Sequence, residues 1–289
     1  MEFKGFFINL DSEKERRISL ERHLKELNIA NKFERFEAIK PKSVQNFRGL
    51  KTKGEYGLWL SYLKLFEKIV EDNNKTFLII EDDFRFNNNA VSILKNILST
   101  KEIKLQNILF LDYLINIKIL KELLSIENKK NIQNKKTNFY LIPAAYWYTA
   151  CTSCFLINKS SAEYLLKLLQ NLFNNLSADN KLIPVDMAIK NMLVVRLFKG
   201  SMLIPPIGAP NWELDSQSSI QINHKLDIRN SMRAYLLLRL ASSGIESPSF
   251  CISEFSKLIN ENIIPRPTSQ LKDFYEIFLS KKNKVNHNW

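Results

Sequence analysis

The sequence predicts an α/β fold, and three stretches carry that expectation. The first is Thr76 to Phe86, where the apolar run Phe77-Leu78-Ile79-Ile80 ends in three consecutive acids, Glu81-Asp82-Asp83. Four apolar residues of high strand propensity read as a buried strand. The second is the opening, Gly5-Phe6-Phe7-Ile8-Asn9-Leu10, a strand followed by a turn and a charged amphipathic run. The third is Gly54 to Val70, in which Leu63, Phe66, Ile69 and Val70 mark a buried helix stripe. A short polar spacer, Glu71 to Lys75, joins that helix to the acidic strand.

The acids define the chemistry to look for. Adjacent carboxylates are costly to bury unless a cation neutralises them or they emerge at a strand end, because each loses its hydration. They therefore belong at the C-terminal edge of a central strand, where open α/β sheets bind ligands. Hard carboxylate oxygens suit Mg²⁺ or Mn²⁺, ions that commonly bridge a protein acid to phosphate oxygens. The triplet is equally compatible with a solvated turn in which Asp82 or Asp83 caps the next segment.

In chain order, Ser12 and Glu15 have capping-box spacing and open a helix carrying Ile18, Leu20, Leu24 and Leu27. Asn9 and Asp11 fall in the preceding turn, suited to bonding a base or ribose or to plain turn and cap chemistry. Arg16 and Arg17 sit early in the helix, where its dipole disfavours a cation, so an acid, a phosphate or solvent is the expected partner. Phe33 to Ile39 alternates as a half-buried second strand, and residues 40–53 form a basic loop. Gly54 and Gly57 let backbone approach closely at the start of the next helix.

Beyond the acids, residues 87–106 suit a helix with Ile93, Leu94, Ile97 and Leu98. Asn107 to Leu111 is a buried strand ending at Asp112, and residues 113–138 read as a helix-and-loop insertion. The aromatic cluster Tyr146-Trp147-Tyr148 leads into a strand at Thr152 to Ile157, and Lys159 opens an amphipathic helix. Asp186 stands near another helix start, as a catalytic or acceptor-binding acid or as a favourable N-terminal charge. Met202 to Ile207 reads as an edge strand broken by prolines. Arg229, Arg233 and Arg239 with Tyr235, Leu236, Leu237 and Leu240 suggest a basic amphipathic helix that packs on the domain or lies on an anionic membrane.

The 289 residues hold one large domain or a domain plus a smaller one, and a net charge of +12 favours an anionic partner. No nucleic acid is expected, since no recognisable motif is present and the charge is scattered. Three cysteines argue against a disulfide framework. Cys151 and Cys154 lack a second ligand pair and read as small strand residues. No leader or membrane-spanning stretch is evident, so a cytoplasmic protein is expected, with any membrane contact peripheral.

Taken together, Ile8-Asn9-Leu10-Asp11 with Arg16-Arg17, then Gly54-Glu55-Tyr56-Gly57 with Ser61, then Ile80-Glu81-Asp82-Asp83, resemble glycosyltransferase family 25, the lipopolysaccharide and lipooligosaccharide biosynthesis galactosyltransferases. The resemblance covers roughly Phe3 to Ile222 and departs at Tyr62, where the family usually has His. It implies a GT-A-like nucleotide-sugar-binding domain over residues 1–222, with a central mixed sheet flanked by helices, and a helical C-terminal extension over 223–289. The implied reaction is inverting transfer of a hexose, galactose from UDP-galactose, to a lipid-linked core saccharide at the inner membrane. Mn²⁺ or Mg²⁺ would be held by Asp83 with Glu81 or Asp82, Glu81 being the assigned second ligand and Asp82 assigned to the donor. Asn9, Asp11, Arg17, Gly54, Glu55 and Ser61 complete the donor set, and Asp186 is the base. A metal-dependent nucleotidyltransferase or a non-catalytic basic binding protein is the alternative.

Overall fold

A computed structural model describes residues 2–41, 49–50, 52–99, 107–114, 139–175 and 181–211, with 236, 237, 239, 240, 242–246, 250, 251, 253 and 254. Its strands are β1 (Lys4–Asn9), β2 (Phe33–Glu37), β3 (Thr76–Glu81), β4 (Phe84–Phe86), β5 (Ile108–Phe110), β6 (Tyr140–Pro143), β7 (Cys154–Asn158), β8 (Gly200–Ile204) and β9 (Gly208–Pro210). The helices are α1 (Lys14–Glu26), α2 (Lys53–Glu71), α3 (Ala90–Ser99), α4 (Ala144–Trp147), α5 (Lys159–Asn174) and α6 (Val185–Val194).

Among the described residues a seven-stranded mixed sheet has the order β2-β1-β3-β7-β5-β8-β6. β1 is parallel to both neighbours, β7 is antiparallel to β3 and β5, and β6 is antiparallel to β8. The carboxyl ends of β1, β2, β3, β5 and β8 therefore share one edge. The fold is mixed α/β with helices on both faces, of the GT-A-like kind.

β3 explains the unbroken apolar run. Phe77, Leu78, Ile79 and Ile80 are all fully buried, because the sheet is covered on both sides. Phe77 and Ile79 join Trp59 and Phe66 of α2, Leu165 of α5 and Ile189 of α6. Leu78 and Ile80 pack with Leu20 and Leu24 of α1 and Leu94 of α3 on the other face. Each such side chain contributes about 1.5–3 kcal/mol of burial. After the acids the chain turns into β4, which pairs with β9 in a separate ribbon.

Two local expectations are corrected. The Ser12 and Glu15 capping box does not form: α1 starts at Lys14 behind Glu13, with no side-chain cap, and the Ser12 hydroxyl meets Glu13 instead. Nor is the strand at Met202 an edge. β8 is interior, because Pro205 follows its last residue and removes no ladder donor from it. The expected boundary at residue 222, Arg229, Arg233, Tyr235 and most of the 113–138 insertion lie outside the described residues. Leu236, Leu237 and Leu240 are described, and all three are buried in the core that α2 and α5 also join.

Candidate active site

The chain leaves β1 for β2 on one side and then crosses through α2 to β3 on the other, which makes the carboxyl end of β1 a topological switch point. A cavity of about 310 Å³ opens there, lined by Leu10 to Ser12 after β1 and by Glu37 to Lys40 after β2. Asn9, the last residue of β1, directly precedes its lining. The buried amide donates to Asp82 Oδ2 at 2.7 Å and to the Glu13 carbonyl at 3.0 Å, and its oxygen accepts from Arg35 Nε at 3.0 Å. Asp11 is exposed at the rim, 3.2 Å from the Arg35 guanidinium.

The acids separate by parity. Glu81 ends β3 on the side of Phe77 and Ile79, while Asp82 turns toward α1. There Arg16 occupies the first turn of the buried stripe it forms with Leu20 and Leu24. Its guanidinium lies 3.1 Å from Asp82 and 2.5 Å from Asp83. It is thus Arg16 rather than the half-buried Arg17 that meets the acids. Burial pushes the Glu81 carboxyl up, and the charges of Asp83 and Asp82 push it further. Burial also raises Asp82, against the pull of Arg16.

The start of α2 serves the cavity from behind. Thr52 and Glu55 form a full capping box, so Glu55 caps the helix. Gly54 lies in the first turn. A Cβ at Gly57 would stand 2.6 Å from the Ile39 carbonyl oxygen, so the glycine is required by the segment that lines the cavity. The buried Ser61 hydroxyl donates to the Gly57 carbonyl at 2.7 Å and accepts the Ile39 N–H at 2.8 Å. Tyr62 is fully buried, and its hydroxyl donates to the Thr152 carbonyl at 3.0 Å.

Asp186 sits in the first turn of α6, just after a segment tied to α2 by the Trp59 indole, which donates to the Ile183 carbonyl at 2.7 Å. Its carboxylate accepts N–H groups from Cys151 at 3.1 Å and Met187 at 2.8 Å. Burial raises its pKa, and those N–H groups pull it back. Beside it lies a cluster that sequence reasoning did not assemble. Fully buried Asp112, after β5, is clasped by Arg239 through Nε and Nη2, with Ser153 donating to the same carboxylate. Arg239 also reaches Cys151 Sγ at 3.0 Å. Burial drives that thiol up to about 12, against the opposing Arg239 charge, so it is no nucleophile near neutral pH.

The chain matches the family model described as glycosyltransferase family 25 (LPS biosynthesis protein) over residues 3–189, more than half its length. It belongs to glycosyltransferase family 25. No curated protein matches it. Membership in family 25 makes the chain a transferase with a nucleotide-sugar donor and a saccharide acceptor. The match ends inside α6, so β8 and β9 lie beyond it.

A metal can be weighed against these residues. Among the described residues no three His, Cys, Asp or Glu side chains are gathered to hold an ion. Yet Asp83 Oδ1 is buried without a hydrogen-bond partner, and at this strand end Arg16 pairs with Asp82 and Asp83 while Glu81 lies on the other face of β3. That set fits an ion shared between one or two carboxylates, water and a substrate phosphate, the usual mode for Mg²⁺. Sequence reasoning missed Arg35, Asp112 and Arg239. The signal for Arg16 was present, since a cation at a helix N-terminus needs an acid or phosphate partner.

Proposed function

We propose that this family 25 chain is a metal-dependent, inverting hexosyltransferase that moves galactose from UDP-galactose to a lipid-linked core saccharide. The observation that carries the reading is the Glu81-Asp82-Asp83 turn at the sheet's carboxyl edge, next to the cavity at the β1 switch point. The uridine and ribose would occupy that cavity, with Asp11 at its rim and Asn9, Ser61, Gly54 and Glu55 fixing its walls. Arg17 would complete the donor site, with Asp82 holding Asn9 and Arg16 in place beside it. Glu81 and Asp83 would hold Mn²⁺ or Mg²⁺, which when bound neutralises charge on the departing diphosphate.

Asp186 is the proposed base. Its partly buried carboxylate, held by two backbone N–H groups, would accept the proton of the acceptor hydroxyl. The hydroxyl oxygen then attacks the anomeric carbon as the bond to the diphosphate breaks on the opposite face, which inverts that centre. A cytoplasmic enzyme touching the inner membrane is supported by the net charge of +12. It is also supported by exposed Val194, Val195 and Leu197 around Arg196, whose guanidinium meets the hydroxyl of exposed Tyr146. No helix among the described residues is long and apolar enough to cross a membrane.

The test is UDP release from a panel of nucleotide sugars, with Mn²⁺ or with EDTA, in the presence of truncated lipooligosaccharide. Release from UDP-galactose that EDTA abolishes and Asp83→Ala lowers about 100-fold is the expected result. Asp186→Asn should retain UDP binding and lose transfer. Metal-independent release, or an active Asp83→Ala, would remove the metal from the proposal, and release from a different sugar would replace galactose.

A further inference from the structure

The ion pairs at the end of β3 leave two polar atoms unused. Arg16 gives one terminal nitrogen to Asp82 at 3.1 Å and the other to Asp83 at 2.5 Å, yet its Nε is buried with no hydrogen-bond partner. Asp83 accepts that bond through Oδ2, while its Oδ1 is buried and equally without a partner. An unmatched donor and an unmatched acceptor therefore lie in one cluster, a costly arrangement in a protein interior. A donor calls for an anion and an acceptor for a cation.

The two acids are not equivalent. Asp82 is filled, with one oxygen on Arg16 and the other on the Asn9 amide at 2.7 Å. Asn9 is itself fixed by Arg35 and by the Glu13 carbonyl. The Asp82 side of the Arg16 fork is therefore anchored, and the Asp83 side is the one that can be exchanged. Arg16 is nine-tenths buried on a helix face continuous with Leu20 and Leu24, so it can reorient at its tip but cannot leave.

We infer that Arg16 is an exchangeable counter-ion: it neutralises Asp83 in the nucleotide-free protein and transfers its free edge to the donor diphosphate as Asp83 turns to the metal. This rests on the donor-site reading above and adds a coupling to it. A metal arriving alone competes with a guanidinium already seated on Asp83. A metal arriving with a diphosphate gives that guanidinium a new anion. The two ligands consequently favour each other, and each should raise the other's affinity by the same factor.

Calorimetric titration of wild type and Arg16→Gln with Mn²⁺ alone, and with UDP at saturating Mn²⁺, tests this. Binding of UDP to wild type tests the donor site itself. The exchange predicts that Arg16→Gln binds Mn²⁺ alone about tenfold more tightly and UDP about tenfold more weakly, opposite shifts from one substitution. Unchanged affinities, as expected if bridging water satisfies both atoms, would overturn it, and so would loss of both. Should wild type bind no UDP, the donor-site reading fails and the Mn²⁺ arm alone decides the exchange. If Arg16→Gln does not fold by circular dichroism, Arg16→Lys takes its place. Lys keeps the charge without the fork, so Mn²⁺ affinity should stay at the wild-type level while UDP weakens; undiminished UDP binding would overturn the inference.

Discussion

Tyr62 stands where the resemblance led to the expectation of a histidine, and its surroundings leave it no room for chemistry. The ring stacks against Phe155 at 6.1 Å and lies tilted against Phe66 at 5.7 Å, and its hydroxyl is used by the Thr152 carbonyl. Tyr62→Phe should lower unfolding free energy by about 1 kcal/mol, the worth of one buried hydrogen bond, and leave UDP release per folded molecule unchanged. Urea unfolding beside the release assay checks both halves; a large activity loss with intact stability would place the hydroxyl in the chemistry. The stripe read from the sequence, Leu63, Phe66, Ile69 and Val70, left Tyr62 out, although it stands one turn before Phe66 on the same helix. The parts played by Glu55 and Ser61 were not legible either. A polar residue near a helix start looks the same whether it caps the helix, clamps a neighbouring strand exit or faces a ligand.

Elements were easier to read than their neighbours. β1, β2, β3 and α2 appear close to where their patterns put them, because alternation and helical periodicity are local properties of the chain. Strand order is not local, which is why β8 looked like an edge when its prolines were counted with it. The junction of α2, β3 and β1 offers a test at this scale. Asp72 caps the end of α2 and accepts from Lys4 Nζ at 2.7 Å and from the Asn74 N–H at 2.9 Å. Burial pushes its carboxyl up, but those donors outweigh it and hold the pKa at about 2, against 3.8 when unfolded. Between these values the unfolded chain binds more protons than the native one, so stability rises with pH. The contribution is complete above about pH 4 and is lost as pH falls through about 2. Urea midpoints at pH 5, 3 and 2 should therefore fall less steeply in Asp72→Asn than in wild type; parallel curves would show that the pair adds nothing.

Across the whole molecule, the Asp112 and Arg239 pair ties a late segment to the middle of the sheet. Asp112 is fully buried and Arg239 nearly so. Removing the cation alone strands a carboxylate in the interior, so Arg239→Met should cost about 3–5 kcal/mol. Arg239→Met combined with Asp112→Asn should recover much of it, since the uncompensated charge disappears. A double-mutant cycle by urea unfolding measures this, and additive losses would mean that the two residues act independently. The sequence exposed the amphipathic character of this segment and left two destinations open; that Arg239 turns inward depends on an acid 127 positions away. The site followed the same rule. The acids were visible as a run, whereas Arg16, Arg35 and Arg239 reach their partners through the fold.

The position of β8 has a further consequence for the order in which the sheet can be completed. β6 has β8 as its partner strand, and β8 separates it from β5. A chain emerging from the ribosome therefore presents Tyr140–Pro143 before any strand exists for it to join, and the vacancy beside β5 closes when Gly200–Ile204 inserts between the two. The half of the sheet that bears the acids can assemble early, from β1, β2, β3 and β7. The far half must wait for nearly the last described strand.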